Sequence, residues 1–282
     1  MTSTPVLLAY DASPDADRAL RWAAAEARSL DAPLVVMAVE DVQPVPMVTP
    51  ARHGIVEPVP SWVPAALDRA RSSLAGSGLE VTCEHRVGRV VSGLVEAANA
   101  ASVAVLGSRG HGPVGEAILG SVSNDVARHA ACPVVVVREP HDPTSRRIVV
   151  GIDGSPGSRA ALAYACRRAE RTGETVTAVH GWHVHAPSTD VWSALPRTLA
   201  DEEGRRLLLA ESVAGVREDH PDVPLELEAI AVDPAASLVG ASSSASLVVV
   251  GSRGLGLVGG LLLGSVSQDV LHRARCPVAV VR

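Results

Sequence analysis

The strongest constraint on the fold of this chain is an internal repeat. Residues 107–126 read GSRGHGPVGEAILGSVSNDV, and residues 251–270 read GSRGLGLVGGLLLGSVSQDV. Fourteen of these twenty positions are identical at a constant offset of 144, in a chain of 282 residues. A repeat at about half the chain length predicts two similar domains of ordinary size. We place the first domain at residues 1–139, a linker at 140–146 and the second domain at 147–282.

Short apolar runs alternate with segments of helical periodicity in each half. The runs of the first half are PVLLAY, PLVVMAV, LEVTCEHR, SVAVLG and CPVVVVR, and the second half repeats this order from RIVVGID to CPVAVVR. Strands rich in Val and Leu that alternate with helices predict a parallel sheet with helices on both faces. The predicted fold is therefore α/β, with two doubly wound five-stranded parallel sheets in tandem.

Composition and charge limit the classes of partner that this protein can bind. The net charge is −6 and no Lys/Arg run is present, which argues against a nucleic-acid partner. No stretch approaches the ~18 apolar residues of a spanning helix, and the segment MTSTPVLLAYD has no signal-peptide character. The four cysteines form no CxxC pair, so we expect them to be buried residues without chemistry. We predict a cytoplasmic protein with no membrane association.

The repeated segment has the composition of a phosphate cradle, with the spacing G-x2-G-x9-G-S in both halves. Glycines let backbone N–H groups approach an anion, and the last glycine precedes a helix whose unpaired N–H groups and dipole favour a phosphate. Serine hydroxyls in the first helical turn add donors, and one arginine adds a cation. The residues are Gly107, Arg109, Gly110, Gly120, Ser121 and Ser123 in the first half, and Gly251, Arg253, Gly254, Gly264, Ser265 and Ser267 in the second.

The repeated segment contains no lysine, which bears on catalysis. A P-loop reads GxxxxGK[ST] and places its lysine on the transferring phosphate. The dinucleotide fingerprint GxGxxG would follow the first strand, where this chain reads YDASPD and IDGSPG instead. Fast phosphoryl transfer is therefore unsupported, and we predict no catalytic residues.

One aspartate follows the first strand of each half. In a doubly wound sheet, ligands bind where the ends of the first and fourth strands meet, so Asp11 and Asp153 should face the glycine loops. Their carboxylates can accept hydrogen bonds from ribose hydroxyls or help position Mg²⁺. The competing interpretation is that these aspartates, or Ser13 and Ser155 after them, cap the next helix.

The chain resembles the universal stress protein family in its tandem form over nearly its full length. The resemblance rests on D-x-S-P after the first strand, on G-x2-G-x9-G-S followed by VS, and on the last strand CPV-x-VVR, each present twice in order. It implies a Rossmann-like domain of the adenine nucleotide alpha hydrolase type that binds ATP, with Mg²⁺ as a companion ion. It also implies a regulatory role in stress response or growth control, through nucleotide-dependent conformation or partner binding.

The resemblance also implies binding residues by position. In the first half, Ala9, Asp11 and Val39 would line the adenosine part of the site, and the glycine loop with Ser121, Val122 and Ser123 would hold phosphates. The corresponding residues of the second half are Gly151, Asp153, Gly181, Gly251, Gly254, Gly264, Ser265, Val266 and Ser267.

The two halves differ at residues close to these positions. Ala9 and Ala12 stand where the second half has Gly151 and Gly154, and Val232 stands where the first half has Gly88. Added methyl groups narrow a pocket, so we expect both sites to bind ATP with unequal affinity.

The resemblance further implies that the domains pair through their last strands. This pairing gives a pseudo-dimer within one chain or a homodimer of two chains, and the regulatory protein partner is unknown. Two alternatives for function stay open: a slow ATPase or nucleotidyl transferase, and a protein that binds AMP or another adenylate. We predict no metal site at the histidines, which are His111, His180, His183 and His185.

Overall fold

The structure, a computed structural model, describes residues 3–41, 61–110, 119–138, 144–183, 191–255 and 263–282. Residues 1–2, 42–60, 111–118, 139–143, 184–190 and 256–262, among them His111 and His185, lie outside the described residues.

The described elements of the first half alternate between strand and helix. They are β1 (Val6–Ala9), α1 (Pro14–Leu30), β2 (Leu34–Glu40), α2 (Val63–Leu74), β3 (Val81–Val87), α3 (Val90–Ala98), β4 (Val103–Gly107), α4 (Ser121–His129) and β5 (Val134–Val137).

The described elements of the second half follow the same order. They are β6 (Arg147–Gly151), α5 (Pro156–Thr172), β7 (Thr175–Gly181), α6 (Val191–Asp219), β8 (Leu225–Ile230), α7 (Pro234–Ala241) with a short 3-10 helix (Ser242–Ser244), β9 (Leu247–Gly251), α8 (Ser265–Arg273) and β10 (Val278–Val281). The predicted α/β fold is confirmed in both halves.

Each half forms a parallel sheet in which the first strand lies between the second and the fourth. The complete strand order is β3-β2-β1-β4-β5-β10-β9-β6-β7-β8. Val6 of β1 is opposite Val103 of β4, and Ile148 of β6 is opposite Leu247 of β9. The chain order reverses between these strands, so their carboxyl ends form the crevice in which such folds bind ligands.

The two parallel sheets join through their last strands. β5 and β10 pair antiparallel within the one chain, with Val135 opposite Ala279. Of the two arrangements that the sequence left open, the structure has the intrachain one. The other side of β5 pairs with β4 and the other side of β10 pairs with β9, so both edges of each last strand are occupied. This pairing protects two Val-rich strands that would otherwise be open edges.

The core has one layer on each side of the sheet because strand side chains alternate. Val6 and Leu8 pack with α1 and α2 on one face, and Leu7 packs with α3 and α4 on the other. The chain contains no Phe, so buried Val, Leu and Ala fill both layers. Burial raises the pKa of the thiols of Cys166 and Cys276 to about 11 and about 12. Both thiols are therefore protonated at neutral pH.

The turn between β1 and α1 contains an unfavourable backbone conformation. Ala12 has φ of 63°, in the left-handed region, and the equivalent Gly154 has φ of 84°. A side chain in this region costs roughly 1–2 kcal/mol, whereas glycine adopts it freely. The first half therefore carries strain that the second half avoids.

We expect the Ala12→Gly substitution to raise the free energy of unfolding by about 1 kcal/mol, because relief of strain exceeds the added flexibility of the unfolded chain. The matched Gly154→Ala substitution should lower it by a similar amount, since the nearest Leu208 atom leaves a normal contact of 3.7 Å for the new methyl group. Urea unfolding of both variants measures the effect. A loss of stability in Ala12→Gly would contradict the strain assignment.

Candidate functional site

A cleft of about 1140 Å³ opens at the carboxyl ends of β1, β2 and β4 in the first half. The structure brings every binding residue predicted for this half to its wall. They are Ala9, Asp11, Val39, Gly107, Arg109, Gly110, Gly120, Ser121, Val122 and Ser123.

One end of the cleft is apolar and contains residues that sequence reasoning missed. Met37, Val90 and Leu94 line it beside Val39, and Trp62 at the start of α2 contributes an indole that is 43% exposed. Met37 lies two residues before the predicted Val39 on β2, so the alternation of that strand could have indicated it. Trp62 follows a segment without periodicity, and no sequence signal connected it to this site.

The opposite end of the cleft is the N-terminus of α4. Gly120 precedes this helix in an extended conformation, and no side chain among the described residues caps it. The Gly120 N–H donates to Ser108 O at 2.8 Å, and Asn124 N–H donates to Gly120 O at 3.1 Å. The N–H groups of the three residues between them have no acceptor within the helix. These donors and the helix dipole make this end of the cleft suitable for an anion.

The serines at the start of α4 differ in what their hydroxyls do. Ser123 is buried, and its hydroxyl donates to Gly107 O at 2.7 Å. Ser267 makes the same contact with Gly251 O at 2.6 Å. These hydroxyl protons brace the end of a strand, whereas the exposed Ser121 keeps its hydroxyl at the cleft wall.

Serine residues cap α1 and α5. Ser13 Oγ accepts from Ala16 N–H at 3.2 Å, and Ser155 Oγ accepts from Ser158 N–H at 3.1 Å. The preceding aspartates support these caps, because Asp11 accepts from Ser13 N–H at 2.9 Å and Asp153 from Ser155 N–H at 3.0 Å. Of the capping alternatives that the sequence left open, serine is the cap and aspartate closes the turn before it.

The second oxygen of each aspartate faces the glycine loop. Asp153 Oδ2 accepts from Leu255 N–H at 3.2 Å. A Cβ on Gly254 would lie 2.3 Å from that oxygen, and a Cβ on Gly110 would lie 2.6 Å from Asp11 Oδ2. The second glycine of the loop is therefore required for the loop to approach the carboxylate.

Arg109 is held by a buried carboxylate that the sequence did not indicate. Its Nε donates to Asp15 Oδ2 at 3.2 Å, and Asp15 also accepts from Ser108 Oγ at 2.5 Å and pairs with Arg18. Asp15 is 6% exposed and lines the cleft. The guanidinium of Arg109 is thereby fixed at the wall of the first site.

The second half has no equivalent of this arginine anchor. Gly157 stands where the first half has Asp15, and a Cβ there would lie 2.7 Å from Arg253 O. Among the described residues, Arg253 has no hydrogen-bond or ion-pair partner. The two loops therefore have similar sequences, but a carboxylate holds Arg109 in the first loop and no equivalent carboxylate in the described part of the chain holds Arg253 in the second.

In the second half, α7 and the turn before it pack closely against Gly151 and Gly181. A Cβ on Gly181 would lie 2.7 Å from Ser237 Oγ and 2.8 Å from Val232 O, and one on Gly151 would lie 2.9 Å from Leu238 Cδ1. Neighbouring groups already use the space that these glycines leave. The sequence comparison predicted unequal sites without saying which is narrower, and these contacts show that a glycine in the second half does not by itself leave open space.

The corresponding contact in the first half has the large and small residues exchanged. Val39, the equivalent of Gly181, packs on Gly93, the equivalent of Ser237, with 3.7 Å between Val39 Cγ1 and a Cβ built on Gly93. The side chain at this contact thus comes from the strand in one half and from the helix in the other.

Comparison with known proteins assigns the chain to a family. The family model described as "Universal stress protein family" matches residues 2–138 and again residues 144–282. The chain belongs to the universal stress protein family and carries its domain twice. A universal stress protein of Mycobacterium tuberculosis is 38% identical over 291 residues, which cover 98% of this chain and 96% of the relative.

A solved structure that aligns over the whole chain shows the same fold. The crystal structure of a universal stress protein from Archaeoglobus fulgidus aligns with a TM-score of 0.65 at 20% identity, covering 100% of this chain and 99% of that one. A universal stress protein solved in complex with cAMP aligns with 49% of this chain and 97% of its own, with a TM-score of 0.36 and 24% identity.

The described residues contain neither a candidate membrane span nor a candidate cluster of metal ligands. None of the helices in the described ranges has the length and apolar character needed to cross a membrane. Within those ranges, no group of three or more His, Cys, Asp or Glu side chains is placed to hold a metal ion. His180 instead forms a hydrogen bond through its Nδ1 to Ile152 O at 2.7 Å, and its ring stacks on Trp182.

We expect Ser123→Ala to lower the free energy of unfolding by about 1 kcal/mol, because Gly107 O loses a buried donor. Ser121→Ala is the matched control and should leave stability unchanged, since that hydroxyl is exposed. Thermal and urea unfolding compare the two variants. Equal stability of both would show that the Ser123 brace contributes nothing.

Proposed function

We propose that this universal stress protein binds ATP in the cleft of its first half and that the bound nucleotide regulates the protein rather than being turned over. The observation that carries this proposal is the uncapped N-terminus of α4, which lies in one cleft with an apolar end. A nucleotide has the same two ends, a polyanionic phosphate chain and a flat base.

The described residues fit the parts of the ligand. The N–H groups at the start of α4, the Ser121 hydroxyl and the Arg109 guanidinium would hold phosphates. Met37, Val39 and Leu94 would contact the base, and the Trp62 indole is available to stack on it. Asp11 would accept from the ribose hydroxyls, and it is the candidate carboxylate for an accompanying Mg²⁺.

A binding role agrees with the state of the ionisable groups at the cleft wall. Tyr10 donates to Asp17 at 2.7 Å, and burial raises the pKa of Tyr10 above its ordinary value. Asp15 is paired with two arginines. These groups are committed to neighbours within the protein, which favours retention of a nucleotide over catalysis. The regulated event would be the binding of a partner protein or a change in conformation.

We further propose that the two halves bind nucleotide unequally and that the first half binds more tightly. Support comes from Leu238, Ser237 and the Val232 carbonyl, which lie against Gly151 and Gly181 at the adenosine end of the second crevice. Support also comes from Arg109, which Asp15 fixes while Arg253 lacks an equivalent anchor.

The Gly120→Val and Gly264→Val substitutions test where ATP binds. Both glycines have ordinary negative φ values of −62° and −64°, so a side chain introduces no left-handed strain. We expect Gly120→Val to weaken ATP binding at least tenfold, because the side chain covers the phosphate end, and Gly264→Val to change it little. Titration calorimetry should give close to one tight site per chain.

Unfolding curves of both glycine variants serve as the control for folding. Equal tight binding at two sites, or loss of binding in Gly264→Val alone, would contradict the assignment to the first half.

The identity of the ligand and its turnover are tested on the purified wild-type chain. Mass spectrometry of material released on denaturation should detect ATP, and added ATP should raise the melting temperature more than AMP, cyclic AMP or GTP. We expect ATP turnover well below ~1 s⁻¹, the lower end of ordinary enzyme rates. Faster turnover would favour an ATPase, and a larger shift with AMP would favour an adenylate-binding protein.

A further inference from the structure

The two helices that meet across the junction between the halves carry a buried charge cluster. α1 and α5 each have seventeen residues, and Glu26 and Arg168 are both the thirteenth residue of their helix. Glu26 is 2% exposed and forms ion pairs with Arg168 and with Arg171, the latter at 3.3 Å. Arg168 also approaches Glu174 at 3.5 Å. We call these four residues the junction cluster.

The guanidinium of Arg168 has a further contact in the other half. Its Cζ lies 4.9 Å from the ring centroid of Trp22, and desolvation lowers the pKa of Arg168. Trp22 occupies the same helical position as Tyr164 in the second half. The first half thus presents a carboxylate and an indole, and the second half presents two guanidinium groups.

The junction cluster lies on the pseudo-twofold axis that relates the halves. Two equivalent positions contact each other only at such an axis. Glu26 and Arg168 are equivalent and in contact, and in the sheet below them the equivalent Val135 and Ala279 lie opposite each other. If two first halves were paired in this way, Glu26 would contact a second Glu26. If two second halves were paired, Arg168 would contact a second Arg168.

Two other kinds of contact across the junction are equivalent in the two halves. Arg138 donates to Leu271 O at the end of α8, and the equivalent Arg282 donates to Ala127 O at the end of α4. The facing strand residues are Val or Ala on both sides. Two first halves or two second halves could make all of these contacts. The Glu26–Arg168 pair would instead become two buried carboxylates or two buried guanidinium groups.

We propose that the junction cluster makes this surface accept only the opposite half of the chain. A first half selects a second half, from its own chain or from another copy, and rejects a second copy of itself. A buried like-charge pair is costly because both charges lose water and neither gains the other as a partner; Glu174, 3.5 Å from Arg168, offsets this cost only in part when two second halves meet. An ion pair in this place contributes little net stability compared with neutral residues, so its effect is selection of the partner.

Charge reversal in the full-length chain reproduces the two rejected contacts. Arg168→Glu places a carboxylate against Glu26, as two first halves would, and Glu26→Arg places guanidinium groups together, as two second halves would. Hydrogen exchange of the β5 and β10 amides reports whether the halves stay docked, and exchange of the β1 amides reports whether the first half stays folded. We expect each reversal to reduce β5 and β10 protection about a hundredfold while β1 stays protected.

Three further variants separate selection from general stability. The neutral double variant Glu26→Gln/Arg168→Gln should keep β5 and β10 protection within tenfold of the wild type. The double reversal Glu26→Arg/Arg168→Glu should recover part of the protection that each single reversal loses. Arg206→Glu, at an exposed pair with Glu202 on α6, is the control for a change of net charge and should have no effect.

Two outcomes would overturn the proposal. One is wild-type protection in both single reversals, which would show that the junction tolerates like charges. The other is loss of docking in the neutral double variant to the same extent as in the reversals, which would show that the ion pair is needed for stability rather than selection. Neither outcome depends on nucleotide binding in the first-half cleft.

Discussion

The antiparallel pairing of β5 with β10 is the interaction on which the rest of the structure depends. Each is a short strand of buried, mostly Val residues, and in an isolated half it would be an open edge of a sheet. Pairing the two edges satisfies their backbone groups. It also fixes the pseudo-twofold axis, which in turn brings α1 against α5 and Glu26 against Arg168.

The repeated glycine loop shows how one sequence motif can give two different sites. In both halves the loop approaches an aspartate, and a serine braces the strand end below it. What differs is supplied from elsewhere in the chain. Asp15 holds the arginine of the first loop, whereas Leu238 and Ser237 occupy the space beside Gly151 and Gly181 in the second. The two halves thus share the glycine loop, its aspartate and its serine, while the residues packed around them differ.

Most of the fold could be predicted from the sequence because its signals are local. Val-rich runs bounded by turns define strands, and the strand order follows from the handedness of crossovers. The candidate residues of the first half were also predictable, since the glycine spacing and the aspartate after the first strand are sequence patterns. The strain at Ala12 was not recognised, although its alignment with Gly154 contained the signal. Trp62 and Asp15 were missed because neither belongs to a repeated pattern.

The sequence by itself determined that this chain has two copies of one α/β unit and where each copy presents a glycine-rich loop, because periodicity and repetition are written in the order of residues. The tertiary structure alone decided that the last strands pair within one chain and that Glu26 contacts Arg168. It also decided that neighbouring side chains fill the space beside the glycines of the second crevice. Each of these depends on which surfaces come together across more than fifty residues of chain. Packing and charge burial at those surfaces are properties of the folded molecule.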